Sequence, residues 1–488
     1  MKVLFFDPRR YKSFRPSTAP LGLLSISTYL NSKNHCAVIC DRSHSKKSVE
    51  EIINENKPDI VGISVITYSA IEDACHIAEC AKKSGLTVVL GGTVAASLSE
   101  YFLKDHNIDY ISLGEGECTW LDIMNTLPQK EDFDLIKGLA FIKNGEYYET
   151  PEREYIDLKE LPKLDWSLIN PEDFLQEGFG GKKQANIYYS KGCVANCHFC
   201  YNKKFHNCKR RERNLDDVIS EMEYLVDTYN VDSFNFTDDL MFINEAQAIS
   251  IAQKMIERDI NNKCTWIGEI RVDSLKNQKV YELLYKAGCR NLIFGIETGS
   301  QDMQKILNKR ISTEEIIRTV EMCEKASITP LMTFMLGLPE ESEKDIIKTV
   351  ELVKKLDKAI CCCQIYTPTP GSKIYEELVS QGKIKREKNV NIFSNIIFGE
   401  KIAYNISNVS KKDIYTVYRY FKLKEFKYKD KNSTDKQMFK VITNVLKSMS
   451  GKGIVFFFVS GINNAINLIQ LLSFFFHPII RKKYGLFF

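Results

Sequence analysis

The sequence has almost no excess of charge of either sign, and no targeting segment is evident at its start. Among 488 residues, 67 lysines and arginines stand against 63 aspartates and glutamates, which leaves a net charge of +4 at pH 7. A chain so nearly neutral offers no global attraction for nucleic acid, so we expect no nucleic-acid partner. The opening residues MKVLFFD lack a basic region followed by a cleavable apolar stretch. We therefore expect a cytoplasmic protein.

The chain contains fifteen cysteines, but it lacks the secretory features that would favour a disulfide scaffold. In a reducing compartment such thiols stay free, and most scattered cysteines pack as small buried hydrophobes. The segment KGCVANCHFC at 191–200 is different, because it sets Cys193, Cys197 and Cys200 at spacings of four and three. Only these three cysteines are spaced like metal ligands.

Short apolar runs alternate with amphipathic stretches in the N-terminal region. This alternation predicts an α/β unit with a parallel sheet. The predicted strands are 2–7, 37–40, 59–65, 87–92 and 110–116, with helices near 21–32, 48–56, 70–84 and 97–106. In such sheets, ligands bind at the carboxyl ends of the strands.

Small and polar residues follow the third, fourth and fifth predicted strands, at the edge where a ligand is expected. Glycine allows the backbone to approach a ligand closely, although a double glycine also suits a tight turn. The candidate ligand-binding residues are Ser64, Thr67, Gly91, Gly92, Gly114, Glu115 and Gly116.

From residue 186 onward, apolar strands and amphipathic helices alternate with a longer repeat. The predicted strands are 186–190, 233–237, 264–269, 291–297, 331–336 and 361–367, with helices near 214–229, 244–258, 275–287, 312–326 and 342–357. Six strand and helix units in succession predict a partial (β/α)6 barrel of the TIM type. In such barrels the chemistry lies on the loops after the strands, and the three cysteines directly follow the first strand.

Three thiolates can hold three irons of a 4Fe-4S cluster, and the fourth iron is then open to a small molecule. A structural zinc site instead requires four ligands. His206 and Cys208 are near enough in sequence to complete such a site, so zinc is the alternative. The paired spacing typical of zinc ligands is absent here, and the polar residues that follow the later strands have no role in a zinc site.

The spacing Cys-x3-Cys-x2-Cys, with Phe199 before the last cysteine, resembles the signature of radical S-adenosylmethionine (SAM) enzymes. The resemblance implies that SAM binds the open iron and is cleaved to a 5'-deoxyadenosyl radical. It also implies an oxygen-sensitive cluster and an external one-electron donor. The SAM-binding residues that it implies are Phe199, Asp238, Asp239, Arg271, Glu297 and Ser300.

Each polar SAM-binding candidate also has a structural alternative. Asp238 and Asp239 could cap the helix that begins near 244. Arg271, suited to a carboxylate by its bidentate geometry, could instead form a surface ion pair. Glu297 and Ser300 could cap the next helix.

The N-terminal region resembles the Rossmann-like cobalamin-binding domain of class B radical SAM enzymes. The resemblance rests on PLGLLSISTYL at 20–30, KPDIVGIS at 57–64, VVLGG at 88–92 and GEGE at 114–117. It implies cobalamin as a cofactor, bound by the seven candidates named above. Family members that bind cobalt through histidine carry Asp-x-His-x-x-Gly, whereas this chain has DRSHSK at 41–46. His44 is therefore predicted to be a loop residue, and the lower face of cobalt is predicted to be open.

These patterns predict four regions. They are a cobalamin-binding-like domain at 1–130, a linker at 131–185, a radical SAM barrel at 186–400 and a helical extension at 401–488. Within the extension, the lysine-rich stretch 409–447 predicts an exposed helix and a linker. Segment 453–476 is uncharged and long enough to span a bilayer. Its polar stripe at helical spacing instead favours peripheral membrane contact or a helix docked on a protein surface.

The predicted function is cobalamin-dependent radical methylation of an unactivated carbon in a small molecule. Membrane association through 453–476 would suit a lipid-like substrate. Radical cyclisation, rearrangement or oxidation with the same cofactors is the enzymatic alternative. A membrane-anchored cluster or cobalamin sensor is the alternative outside enzymes.

Overall fold

The apolar runs of the N-terminal region form the parallel strands that the sequence predicts. The structure, a computed structural model, describes residues 1–10, 18–128, 133–178, 180–386 and 404–432. The first sheet has seven strands in the order β2-β1-β3-β4-β5-β6-β7. They are Lys2–Asp7 (β1), Cys36–Asp41 (β2), Ile60–Ser64 (β3), Thr87–Gly91 (β4), Tyr110–Ser112 (β5), Leu139–Lys143 (β6) and Glu146–Glu149 (β7).

Strands β1 to β5 are parallel, and β6 and β7 add an antiparallel hairpin at one edge. The sheet therefore extends to residue 149, into the segment that the sequence assigned to the linker. Apolar side chains cover both faces. Val61, Ile63 and Leu90 pack in one buried cluster, whereas Phe5 and Trp120 pack in the other. Burial of both faces explains why these strands are continuous apolar runs.

Helices flank the strands of the first sheet. The helix that begins after Ser48 has a capping box, in which the Ser48 side chain accepts from the Glu51 amide and Glu51 accepts from the Ser48 amide. Both donors would otherwise be unpaired at the helix start. The helices are Leu21–Ser32 (α1), Val49–Asn56 (α2), Ile71–Lys83 (α3), Thr93–Ser97 (α4), Ser99–Asp105 (α5) and Gly116–Thr126 (α6).

The repeating strands and helices of the second region also form where they are predicted. The strands are Gln184–Ile187 (β8), Ser190–Lys191 (β9), Arg211–Glu212 (β10), Ser233–Phe236 (β11), Thr265–Ile270 (β12), Cys289–Glu297 (β13), Thr329–Leu336 (β14) and Ile360–Ile365 (β15). The helices are Asn202–His206 (α7), Leu215–Tyr229 (α8), Glu245–Glu257 (α9), Ile260–Lys263 (α10), Gln278–Lys286 (α11), Gln301–Ile306 (α12), Thr313–Lys325 (α13), Glu343–Lys355 (α14), Lys373–Ser380 (α15) and Lys411–Asn432 (α16).

The chain divides into two compact units. The first unit comprises the described parts of Met1–Ile270, Glu282–Asn291 and Pro368–Ile397. It contains the seven-stranded sheet, the parallel strands β8, β11 and β12, and a small antiparallel ribbon of β9 and β10. The cysteine loop and the cobalamin-binding candidates are therefore in the same unit.

The second unit comprises the described parts of Arg271–Tyr281, Leu292–Thr367 and Phe398–Phe488. Strands β14 and β15 are parallel there. Helix α16 packs against β15. Its residues Ile414, Val417 and Phe421 are fully buried, and the Phe421 ring lies 5.3 Å from the Phe334 ring. The prediction of an exposed helix is therefore wrong here, because an apolar face at helical spacing is hidden among the lysines.

No helix in the described ranges combines the length and apolar character needed to cross a bilayer. The apolar segment 453–476 lies outside those ranges.

Candidate active site

The three cysteines lie in a loop that one asparagine holds in shape. The Asn202 side chain accepts a hydrogen bond from the Cys193 amide (3.0 Å) and donates to the carbonyls of Cys193 (2.7 Å) and Ala195 (3.0 Å). Asn202 is buried. Backbone N–H and C=O groups of a loop require hydrogen-bond partners when they are removed from water. The Asn202 side chain is the partner of three such groups. Asn202 was not among the predicted site residues, although it stands only two positions after Cys200 in the sequence.

The cysteine sulfurs also accept backbone hydrogen bonds. The Ala195 amide donates to Cys193 Sγ and the Asn202 amide donates to Cys200 Sγ, both at 3.4 Å. Burial raises the pKa of Cys200 to about 12, and the neighbouring Cys197 and Cys193 add to that effect. Amide hydrogen bonds to sulfur are a known means of tuning an iron–sulfur cluster. Three cysteines on one loop, with amides directed at two of the sulfurs, fit a cluster held by thiolates.

The alternative zinc site is not assembled. Within the described ranges, no three His, Cys, Asp or Glu side chains, the three loop cysteines included, converge on a position where one metal ion could bind. His206 is buried, and its ring nitrogens lie 3.7 Å from Glu115 and 3.8 Å from Asp239. Burial lowers its pKa. The histidine proposed as a fourth zinc ligand thus faces carboxylates.

The two aspartates after β11 have different roles, and neither caps the next helix, which is capped by Asn244. Asp238 is buried and accepts from the amides of Tyr189 (3.0 Å) and Ser190. Burial raises its pKa to about 6. Asp239 accepts from the Gly192 amide (3.0 Å) and the Tyr201 hydroxyl (2.9 Å). Asp239 therefore contacts the residues on either side of the cysteine loop. Asp238 instead holds the backbone at Tyr189 and Ser190, just before the loop.

A glycine is required at the start of the loop. Gly192 has a φ of +82°, and a Cβ there would lie 2.2 Å from the Lys209 carbonyl oxygen. Both the backbone conformation and the lack of space exclude a side chain.

A second contact holds the loop near its other end, where the His198 carbonyl accepts a hydrogen bond from the Ile374 amide (3.0 Å) of helix α15.

In the second unit, Arg271 and Glu297 both contact Lys309. The Arg271 guanidinium binds both carboxylate oxygens of Asp273 (2.8 and 2.9 Å) and donates to the Lys309 carbonyl (3.0 Å). Glu297 pairs with the Lys309 ammonium at 2.8 Å. Glu297 has a left-handed backbone with a φ of +68°, which is uncommon outside glycine and often marks a functional position.

Ser300 is completely buried and caps helix α12, because its hydroxyl accepts from the Met303 amide. The same hydroxyl donates to Asp345 at 2.6 Å. Ser300 therefore has the helix-capping role that was the structural alternative to SAM binding. Phe199 lies within the cysteine loop and is partly buried.

A cavity of about 290 Å³ in the first unit extends from the glycine-rich edge of the first sheet to residues that flank the cysteine loop. It is far larger than the roughly 15 Å³ that one water requires. Six of the seven cobalamin-binding candidates line it, and Thr67, whose hydroxyl lies 3.2 Å from that of Ser69, does not. From the second region, the lining residues are Tyr188, Ser190, Lys191, Tyr201, Phe205, His206, Thr237 and Asp239.

The GEGE segment contributes two carboxylates that are already paired. Glu115 accepts from Arg211 (2.9 Å to Nη1), and Glu117 accepts from Lys191 Nζ (2.7 Å) and the Ser25 hydroxyl (2.6 Å). Burial opposes ionisation of Glu117, but Lys191 holds its pKa below the usual value. Glu115 was predicted from the sequence to contact a ligand. The basic partners of Glu115 and Glu117 were not predicted, because they lie far away in the chain.

His44 is exposed, and its ring contacts Phe174 at 5.2 Å between ring centres. It therefore occupies the loop position predicted for it. The fit to cobalamin rests instead on the glycine edge. At Gly92, φ is +98° and a Cβ would lie 2.8 Å from the Val65 carbonyl, so only glycine leaves this edge of the cavity open.

Two family models match the chain. The radical SAM superfamily matches residues 187–353, and the B12 binding domain matches residues 12–123. An uncharacterized methyltransferase of Pyrococcus horikoshii is 28% identical over 78% of this chain and 83% of its own length. An anaerobic magnesium-protoporphyrin IX monomethyl ester cyclase of Rubrivivax gelatinosus is 27% identical over 78% of this chain and 70% of its own.

A solved structure shares the fold. It is that of the radical SAM methyltransferase TsrM of Kitasatospora setae with cobalamin and a 4Fe-4S cluster bound. The match covers 78% of this chain and 75% of the TsrM chain, with a TM-score of 0.66 and 17% sequence identity.

Proposed function

The chain belongs to the radical SAM superfamily and carries a B12-binding domain, and from this premise we propose that it methylates an unactivated carbon of a small molecule. The two domains imply a 4Fe-4S cluster, SAM and cobalamin as cofactors. When bound, they supply an electron, a 5'-deoxyadenosyl radical that removes hydrogen from the substrate, and a methyl group for the resulting carbon radical.

The observation that carries the proposal is the shared cavity. Gly91, Gly92 and Gly114 line it from the edge of the first sheet, Tyr201 lines it from the position directly after Cys200, and Asp239 lines it from the segment after β11. A group delivered from the glycine edge and a radical formed near the loop would therefore meet in one space. Proximity of this kind is a large part of what an enzyme contributes to a reaction between two bound groups.

Within this proposal, Cys193, Cys197 and Cys200 hold the cluster. Asp239 fixes the loop through the Gly192 amide and the Tyr201 hydroxyl. Phe199, Asp239, Arg271 and Glu297 contact SAM, and Asp238 and Ser300 act through the backbone that they hold. Ser64, Gly91, Gly92, Gly114 and Gly116 contact cobalamin, while Thr67 and Glu115 act indirectly.

The methyltransferase named among the relatives supports methyl transfer, and the cyclase supports radical cyclisation as a second candidate. The cyclase's named substrate, a porphyrin ester, also supports a small-molecule substrate here. An external one-electron donor completes the proposed reaction, since cleavage of SAM consumes an electron.

The test requires no knowledge of the substrate. Purified protein is reconstituted anaerobically with iron, sulfide and reduced cobalamin, then given SAM and a reductant. We expect methylcobalamin in the visible spectrum with stoichiometric S-adenosylhomocysteine, together with slow formation of 5'-deoxyadenosine. Deoxyadenosine without any S-adenosylhomocysteine would exclude methyl transfer and favour cyclisation.

The Cys197→Ala variant separates an enzyme from a sensor. With one cluster ligand removed, we expect no deoxyadenosine at all, because the iron that binds SAM is lost with the cluster. A cobalamin sensor would keep its cobalamin response in this variant and would form no deoxyadenosine even in the native protein.

A further inference from the structure

The cysteine loop is closed at its base by the two-stranded ribbon of β9 and β10. Lys191 and Arg211 are directly paired across this ribbon. Like charges in directly opposed positions on one face of a sheet destabilise it. Each strand has only two residues, so the ribbon has little backbone pairing of its own to offset that repulsion.

Both cations are instead neutralised by one short segment that follows β5, at the start of helix α6. Lys191 Nζ lies 2.7 Å from Glu117, and Arg211 Nη1 lies 2.9 Å from Glu115. All four side chains are largely buried, with exposed fractions of 18% for Lys191, 15% for Arg211, 9% for Glu115 and 2% for Glu117. Charge pairs this far removed from water are screened little by salt and are costly to break on one side.

We propose that Glu115 and Glu117 are positioning residues that clamp the base of the cluster-binding loop and link its closure to occupancy of the cobalamin cavity. Gly114 and Gly116 alternate with the two glutamates and line the cavity. A ligand against these glycines orders the backbone that carries both carboxylates. Linkage is reciprocal, so a formed cluster loop also favours ligand binding at the glycine edge.

This inference rests on the proposed function only through its cluster and cobalamin, and not on methyl transfer. Its test measures how fast an iron chelator removes iron from anaerobically reconstituted protein, with and without cobalamin. In the native protein we expect cobalamin to slow iron loss severalfold. In Glu117→Gln and Lys191→Met we expect iron loss about tenfold faster or more, as for other residues that orient metal ligands.

We also expect cobalamin to give these two variants no protection. Lys191→Arg keeps the charge and should restore both the slow iron loss and the protection. The matched control is Glu154→Gln, which removes an exposed ion pair with Lys137 and should release iron at the native rate.

The proposal is wrong if Glu117→Gln and Lys191→Met lose iron at the native rate, or if cobalamin still protects them. The melting temperature of the cofactor-free variants controls for folding. Should Glu117→Gln fail to fold, Arg211→Gln tests the pair of Arg211 with Glu115. The Arg211 guanidinium also contacts the Ile156 carbonyl and the Tyr155 ring. Iron release can be measured even if no S-adenosylhomocysteine forms, so failure of the clamp and failure of methyl transfer are distinguishable.

Discussion

Replacement of Asn202 by alanine should loosen the cysteine loop and weaken cluster binding. The change removes three hydrogen bonds of 2.7 to 3.0 Å between the side chain and the loop backbone. Each such bond contributes about 0.5–1.5 kcal/mol. Cys193 and Ala195 are only partly buried, so water can replace part of the loss. We therefore expect a net cost of about 2 kcal/mol to the closed loop, which corresponds to roughly 30-fold weaker retention of the cluster.

The assay for Asn202→Ala is anaerobic reconstitution followed by measurement of iron per chain and of iron release to a chelator. Asn202→Asp keeps the acceptor for the Cys193 amide and loses both donors, so it should resemble the alanine variant more than the native protein. Asn262→Ala removes an exposed asparagine that bonds Asp259 and serves as the control. Native iron content and a native release rate in Asn202→Ala would refute the argument that this side chain holds the loop.

Three further predictions follow from local geometry. Gly192→Ala should lower both the melting temperature and the iron content, because the new Cβ would lie 2.2 Å from a carbonyl oxygen. The control is Gly85→Ala, where φ is similarly positive but no atom lies within 4 Å of the new Cβ, so only stability should change. Gly92→Ala should weaken cobalamin binding about tenfold by spectroscopic titration while iron content stays native, since strain of about 1–3 kcal/mol falls on the cavity edge. Burial raises the pKa of Glu341 from 4.5 to about 8, so its ionisation destabilises the fold progressively as pH rises through that window. Glu341→Gln should therefore raise the free energy of unfolding by up to about 4 kcal/mol near pH 8 and by little near pH 4; an equal gain at both would contradict it.

The sequence predicted most strands and helices because both periodic patterns are strong in this chain. The hairpin of β6 and β7 was missed, because Leu139–Lys143 and Glu146–Glu149 are only five and four residues long and lie in a region of mixed charge. The buried face of helix α16 was missed because its many lysines dominate the composition.

The three cysteines could be selected as candidate cluster ligands from spacing alone, since the signature that they resemble is a local sequence pattern. The pairs of Lys191 with Glu117 and of Arg211 with Glu115 could not, because their partners are separated by 74 and 96 positions. Asn202 was near the cysteines, but no periodic pattern marks a residue whose role is to satisfy backbone groups. The bidentate contact of Arg271 with Asp273 likewise appears only once the chain folds.

The ribbon at the base of the cysteine loop has a consequence for biogenesis. The carboxylates that neutralise Lys191 and Arg211 lie at the start of helix α6, which follows the parallel strands of the first sheet and, like them, precedes the loop in the chain. During synthesis, N-terminal elements emerge and fold first. The loop therefore meets its counter-charges only after that sheet has formed, and iron and sulfide delivered earlier would find a loop without a fixed base. Chain order thus sets a maturation sequence, in which folding of the first sheet precedes insertion of the cluster.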